Sequence, residues 1–415
     1  MSVRKRTWRN RDGSRGEAWV VNYTDQAGAR RLKSFERKKD ADAFAGAVSV
    51  DIRAGIHIPD RDSITVAEAA KLWLASADAA GLERSTREQY GRHVKLHIVP
   101  LIGAVKLSQL TVPAARAFED RLRRDRSSAM VRKILTSFGS MLSDAQERGL
   151  VAQNVVRGLR LRRPANKSSD ARARGRLKIG IDIPSPDEIR AIIAALNDHP
   201  QWRPLLLTAM FTGLRSSELR GLRWSDINLK AGELHVRQRA DRYRKMGPPK
   251  SESGERTIPL PPMLTRTLRE WKLACPKGDL GLVFPNGWGR VMDYNNIAAR
   301  GLGPIEIAAG VVTKTGKAKY GLHALRHFYA SWCINRQVDG GLELPLKVVQ
   351  ARLGHASIRM TADRYGHLFP RGDDGAEMAA AEKAFLSQEF PEGMVEGRPE
   401  TPAAPARMVI PPRPL

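Results

Sequence analysis

At 415 residues with 42% hydrophobic content, the chain is too long for one ordinary core, which stops growing near ~250 residues, and its length suggests about three domains. No apolar run approaches the ~18 residues of a membrane span, and the basic start Met1-Ser2-Val3-Arg4-Lys5-Arg6 lacks the apolar segment of a secretory signal, so a soluble, cytoplasmic protein with no membrane partner is expected. Only Cys275 and Cys333 are present, in no C-x-x-C pair, which excludes a disulfide framework or thiolate zinc site, and a formal net charge of +26 makes nucleic acid the leading partner.

Residues 1–60 read as a small unit of β-sheet plus helix. Ala18 to Tyr23 and Arg30 to Phe35 are strand-like, separated by the turn chemistry of Asp25-Gln26-Ala27-Gly28, and a helix is predicted over 39–54. Arg4, Lys5, Arg6 and Arg9 could accompany such a sheet into a major groove; the plain alternative is a solvated basic surface. Residues 64–160 read as all-helical, with helices near 66–80, 86–98, 112–125 and 128–148. Thr65-x-x-Glu68 and Ser85-x-x-Glu88 have capping-box spacing, while Pro100 and Gly103 should break the second helix from the third.

Residues 161–182 form a basic linker, and Arg160, Arg162, Arg163, Arg172 and Arg174 are placed to lie along phosphates, giving affinity without sequence information. Ser185-x-x-Glu188 opens the third unit, 183–390, mainly helical with a strand pair near 233–238 and 256–260. A last amphipathic stretch spans about 376–390. The Pro-rich tail 391–415 is expected to be disordered. The whole is thus multidomain α+β.

Chemistry concentrates in the third unit. Arg215 and Glu218 are three apart at a helix start, so the acid can orient a guanidinium whose planar fork suits phosphate oxygens. His323 and Arg326 share a helical face, giving a second guanidinium and an imidazole. Donors of this kind stabilise the charge that a phosphodiester gains in its transition state. Leu353-Gly354-His355 follows, and ten residues after His355 comes Tyr365. A free tyrosine has a pKa near ~10, so it needs cations and a base to become a nucleophile at neutral pH. Lys250, in the turn joining the strand pair, can reach over a substrate and protonate a departing oxygen, with Lys245 a rival. His327 and His367 stand beside site residues without an assigned role.

Arg215, Lys250, His323-x-x-Arg326, His355 and Tyr365, in that order and spacing, resemble the tyrosine recombinase family, in particular phage-type integrases. The resemblance implies that Tyr365 is the nucleophile, that Arg215, Arg326 and His355 stabilise the transition state, that Lys250 is the general acid and His323 a proton-handling partner, and that Glu218 supports the site. Residues 1–60 and 64–160 would then be arm-type and core-binding DNA-binding domains, and 183–390 the catalytic domain. It further implies a 3′-phosphotyrosyl intermediate, no metal or cofactor, and a homo-tetramer on double-stranded attachment sites. The 376–390 helix would dock on a neighbouring protomer. A prophage or integrative conjugative element would be moved in a bacterial cytoplasm, with an excision factor and a DNA-bending protein as candidate helpers. Three alternatives stand beside it: a type IB topoisomerase, a helix-turn-helix regulator using residues 346–364, and an architectural DNA-binding protein. Gly310 to Lys317 lacks P-loop spacing, and no acidic cluster suggests a two-metal nuclease.

Overall fold

Strands β1 (Ser2–Arg9), β2 (Arg15–Thr24) and β3 (Arg30–Phe35) pair antiparallel in that order, and α1 (Lys38–Arg53) covers one face. The computed structural model describes residues 1–10, 12–25, 28–53, 57–159, 176–370 and 374–386. The chain divides into two compact units, Met1–Lys167 and Ser168–Leu415. Period-two alternation sends Val21 and Tyr23 of β2 onto Ala41, Ala45 and Val48 of α1. The same alternation divides the basic residues of β1 between two faces. With Arg4 opposite Val20 and Lys5 opposite Trp19, Arg4 and Arg6 lie on one face of β1 and Lys5 and Arg9 on the other. Lys5 is also paired with Glu17 at 2.9 Å. Arg160, Arg162, Arg163, Arg172 and Arg174 lie outside the described residues, as does the 391–415 tail.

The helical part of the first unit comprises α2 (Val66–Ala79), α3 (Arg84–His93), α4 (Val99–Ile102), α5 (Val112–Asp125) and α6 (Ser128–Glu147), around Trp73, Phe118, Phe138 and Met141. Thr65 and Glu68 form the reciprocal capping box. Ser85 does not cap: α3 starts two residues earlier than expected, after Glu83, and the Glu88 carboxylate accepts from Arg84 Nε at 3.0 Å instead. Nor does Pro100 break the helix. A π turn over Val94–Ile98 joins α3 to α4, and its wider winding accommodates the proline's missing N–H and its ring.

In the second unit, Ser185 caps α7 (Pro186–Ala195), followed by α8 (Arg203–Thr212) and α9 (Ser216–Gly221). A three-stranded sheet joins β4 (Ile227–Asn228), β5 (Glu233–Val236) and β8 (Arg256–Pro259); between the last two, β6 (Arg239–Ala240) and β7 (Met246–Gly247) make a separate hairpin. The connection that carries Lys250 is therefore longer than a simple turn. Helices α10 (Pro262–Ala274), α11 (Tyr294–Asn296), α12 (Gly303–Ala308), α13 (Leu322–Ile334), α14 (Leu346–Leu353), α15 (Ile358–Tyr365) and α16 (Asp374–Leu386) complete it. One core runs through Leu206, Met210, Leu219, Leu264, Leu325, Tyr329 and Leu353. Among the described residues, no helix is long and apolar enough to cross a membrane.

The stretch between α12 and α13 is tied down by two carboxylates. Glu188, the capping acid of α7, also accepts from Lys319 Nζ at 2.5 Å and from the Tyr320 hydroxyl at 2.8 Å. Glu306 is fully buried, with one oxygen accepting the Tyr320 N–H at 2.9 Å and the other without a hydrogen-bond partner among the described residues. Burial, reinforced by the charge of Glu188, pushes its carboxyl up to about 7. The folded protein therefore keeps a proton that the unfolded chain releases, so the contribution of Glu306 to stability is present below about pH 4.5 and is lost as pH rises to about 7. We expect on the order of 2–3 kcal/mol of this pH dependence to vanish in Glu306→Gln, read from urea denaturation at about pH 5 and about pH 8.

Candidate active site

Two helix ends that terminate in left-handed glycines bring the separated segments together. Gly213, after α8, has φ +59° and lies so close to Tyr329 that a Cβ would come within 2.3 Å of the ring. Gly354, after α14, has φ +61°, and a Cβ there would meet Ser253 O at 2.8 Å and Arg256 Nη1 at 2.9 Å. Only glycine serves both conformations and both approaches. Each glycine turns its carbonyl to an arginine from a distant segment. Arg326, on α13, donates to Gly213 O and Leu353 O, both at 2.5 Å, and Arg215 donates to Gly354 O at 2.8 Å.

Glu218, in the first turn of α9, lies beneath these arginines. Its oxygens receive Arg215 Nη1 at 2.7 Å, the Arg215 backbone N–H at 2.9 Å and Arg256 Nη2 at 2.8 Å. Burial alone would raise this carboxyl, but Arg256 and Arg215 hold it below the usual range. Arg256, which sequence patterning marks only as the start of a strand, also donates Nε to Arg352 O at 2.7 Å. It is thus the bolt between β8 and α14.

Arg326 is 2% exposed, and burial followed by the nearby Arg215 charge lowers it to about 10, which leaves it charged at neutral pH. His355, whose Nδ1 shares a 2.9 Å hydrogen bond with Thr361 Oγ1, is pushed down to about 4 by burial and by Arg326, Arg215 and Arg256. Its ring lies parallel to that of Tyr365, 6.3 Å between centroids. Tyr365 closes α15 and is 1% exposed. Burial raises its phenol, against the lowering pull of Arg326, Arg364 and Arg215.

The sequence-predicted residues Arg215, Glu218, Arg326, His355 and Tyr365 therefore converge on one site. His323 joins it through His327, whose ring lies 4.5 Å away and nearly perpendicular, and burial and the same arginines lower its basicity. Lys250 is exposed on the loop before β8, three residues ahead of the Ser253 carbonyl that abuts Gly354. Its rival Lys245 lies at the tip of the β6–β7 hairpin, outside this contact. His327, unassigned from sequence, contacts the candidate nucleophile: its Nδ1 is 2.7 Å from the Tyr365 hydroxyl. His367 instead meets the Leu177 carbonyl at 2.7 Å. Among the described residues, no group of three or more His, Cys, Asp or Glu could hold a metal ion.

Comparison with known proteins adds to this geometry. Residues 185–371 match the model of the Phage integrase family. The chain is 27% identical to a tyrosine recombinase XerC-like protein of Caldanaerobacter subterraneus subsp. tengcongensis, over 84% of this chain and 90% of the relative. It is 24% identical to the integrase of Mycobacterium phage L5, over 83% and 88%. Among solved structures, the Tn1549 transposon integrase in complex with transposon right end DNA matches with a TM-score of 0.58 and 16% identity, covering 76% of this chain and 99% of that one. A lambda integrase dimer bound to a COC' core site gives 0.54 and 17%, covering 89% and 97%. At these identities the two structures speak for the shared fold.

Glu218 offers a direct test of how the arginines are held. Removing one partner of a buried charge pair leaves the others uncompensated, so Glu218→Gln should destabilise the protein by about 3–5 kcal/mol in urea denaturation near pH 7. Because the folded carboxyl is depressed, its stabilisation is present above about pH 4.5 and lost as pH falls below that value. The variant should lack this part of the acid limb.

Proposed function

We propose that this chain, which belongs to the tyrosine recombinase family, is a site-specific DNA recombinase that breaks and rejoins strands to integrate or excise a mobile element. The observation that carries the reading is the convergence of two arginines, a histidine and a tyrosine, drawn from four segments, around two glycine carbonyls. A pair of guanidiniums anchored on backbone carbonyls suits a phosphodiester, and a tyrosine beside them is placed to attack it.

In that reaction the Tyr365 oxygen attacks the scissile phosphorus, forming a phosphotyrosyl bond to the 3′ end as the bond to the 5′ oxygen breaks. Arg215, Arg326 and His355 meet the charge that builds on the non-bridging oxygens. Lys250 gives a proton to the departing 5′ oxygen, and His323 handles the proton released by the phenol. The 5′ hydroxyl of a partner strand then reverses the step. One phosphodiester replaces another of similar energy, so neither nucleotide nor metal is required. For the basic surfaces we propose DNA contact by residues 1–60 on arm sites and 64–160 on core sites, with the 161–182 linker lying along the backbone. Residues 183–390 would be the catalytic domain, assembled as a homo-tetramer on two duplexes with α16 offered to a neighbour. An excision factor and a bending protein would set direction.

Two experiments test the assignment. On a nicked suicide site the wild-type chain should form a covalent adduct on denaturing gels, and Tyr365→Phe should form none while retaining specific DNA binding; an adduct in that variant overturns the nucleophile. Lys250→Ala should slow adduct formation about 10²–10⁴-fold on ordinary DNA. A substrate with sulfur in place of the departing 5′ oxygen, which leaves without a proton, should restore the rate. A deficit unchanged by sulfur would remove Lys250 as the acid.

A further inference from the structure

The residue nearest the candidate nucleophile is one that the reaction just described does not use. The Tyr365 hydroxyl is buried and lies 2.7 Å from His327 Nδ1, with the rings edge-on at 5.7 Å between centroids. His327 is held in turn by its place in α13 and by the perpendicular ring of His323 at 4.5 Å. We propose that His327 is a positioning residue that latches Tyr365, accepting its hydroxyl hydrogen bond and holding the nucleophile inside the catalytic unit until DNA is engaged.

Three considerations lead to a latch. First, Tyr365 is 1% exposed, so an attack on an external phosphate requires the side chain to leave the place it occupies. Second, a buried hydroxyl without a partner is costly, so the acceptor that satisfies it in the buried place favours that place. Third, His327 is ill suited to take the proton outright. Burial, then the charges of His323, Arg364 and Arg326, pushes its imidazole down to about 3, while the phenol is raised above its ordinary value. A base so much weaker than the phenolate holds the hydroxyl but does not ionise it. The imidazole is therefore neutral, and in the tautomer that carries its hydrogen on Nε2 the Nδ1 atom accepts from the phenol.

The inference rests on the recombinase reading for its meaning, but its test needs no DNA. Nitration of the free full-length chain with tetranitromethane, mapped by mass spectrometry, reports the release of each tyrosine. Tyr329, also 1% exposed and within the same core, is the internal control. His327→Phe keeps a ring against His323 but removes the acceptor; His327→Asn returns an oxygen near the position of Nδ1. Tyr365 should be nitrated roughly five- to tenfold faster in His327→Phe, in line with the loss of one hydrogen bond. In His327→Asn the rate should return toward wild type, with Tyr329 unchanged throughout. Unaltered protection of Tyr365 in the Phe variant would overturn the latch. So would an Asn variant as labile as Phe, or a parallel loosening of Tyr329, which would make His327 merely structural. Failure here leaves the adduct experiment with Tyr365→Phe intact, and failure there leaves the nitration result readable.

Discussion

A buried carboxylate is the constraint on which the site depends. Glu218 is 3% exposed and collects Arg215, Arg256 and a backbone N–H on its two oxygens. Two guanidiniums in one pocket repel each other, and a third stands close by in Arg326. Without an acid among them, the cheapest response would be to turn outward to water. Glu218 keeps Arg215 at the surface of the pocket and Arg256 inside it. Arg256 in turn fastens β8 to the end of α14, which carries Gly354 and His355 into place.

The remaining geometry comes from backbone rather than side chains. Arg326 spends its donors on two carbonyls, one after α8 and one at the end of α14, and Arg215 reaches the Gly354 carbonyl. The arginines and the helix ends therefore define each other's position. Such preorganisation matters for phosphoryl chemistry, where charge stabilisation requires donors that need not rearrange as the reaction proceeds.

Much of this was legible in the sequence because it is local. The capping boxes at Thr65 and Ser185 involve residues three apart, and the motif around Arg326 repeats at helical spacing, so short-range rules found them. What escaped was long-range or without a local signature. Arg256 stands at an ordinary strand start, and only the fold reveals that it meets Glu218, 38 residues away. His327 follows an evident site arginine, yet nothing local says that its ring faces Tyr365. Pro100 read as a helix stop because the π turn that absorbs it has no sequence signature of its own.

The burial of Tyr365 bears on how such a protein lives with DNA. A chain of net charge +26 will spend most of its time on indifferent sequence, scanning by electrostatic attraction. With its hydroxyl buried, Tyr365 is withheld from any strand that passes over the surface during that search. On the proposed reading, the tyrosine emerges only at the correct site, and the genome is searched without being nicked along the way.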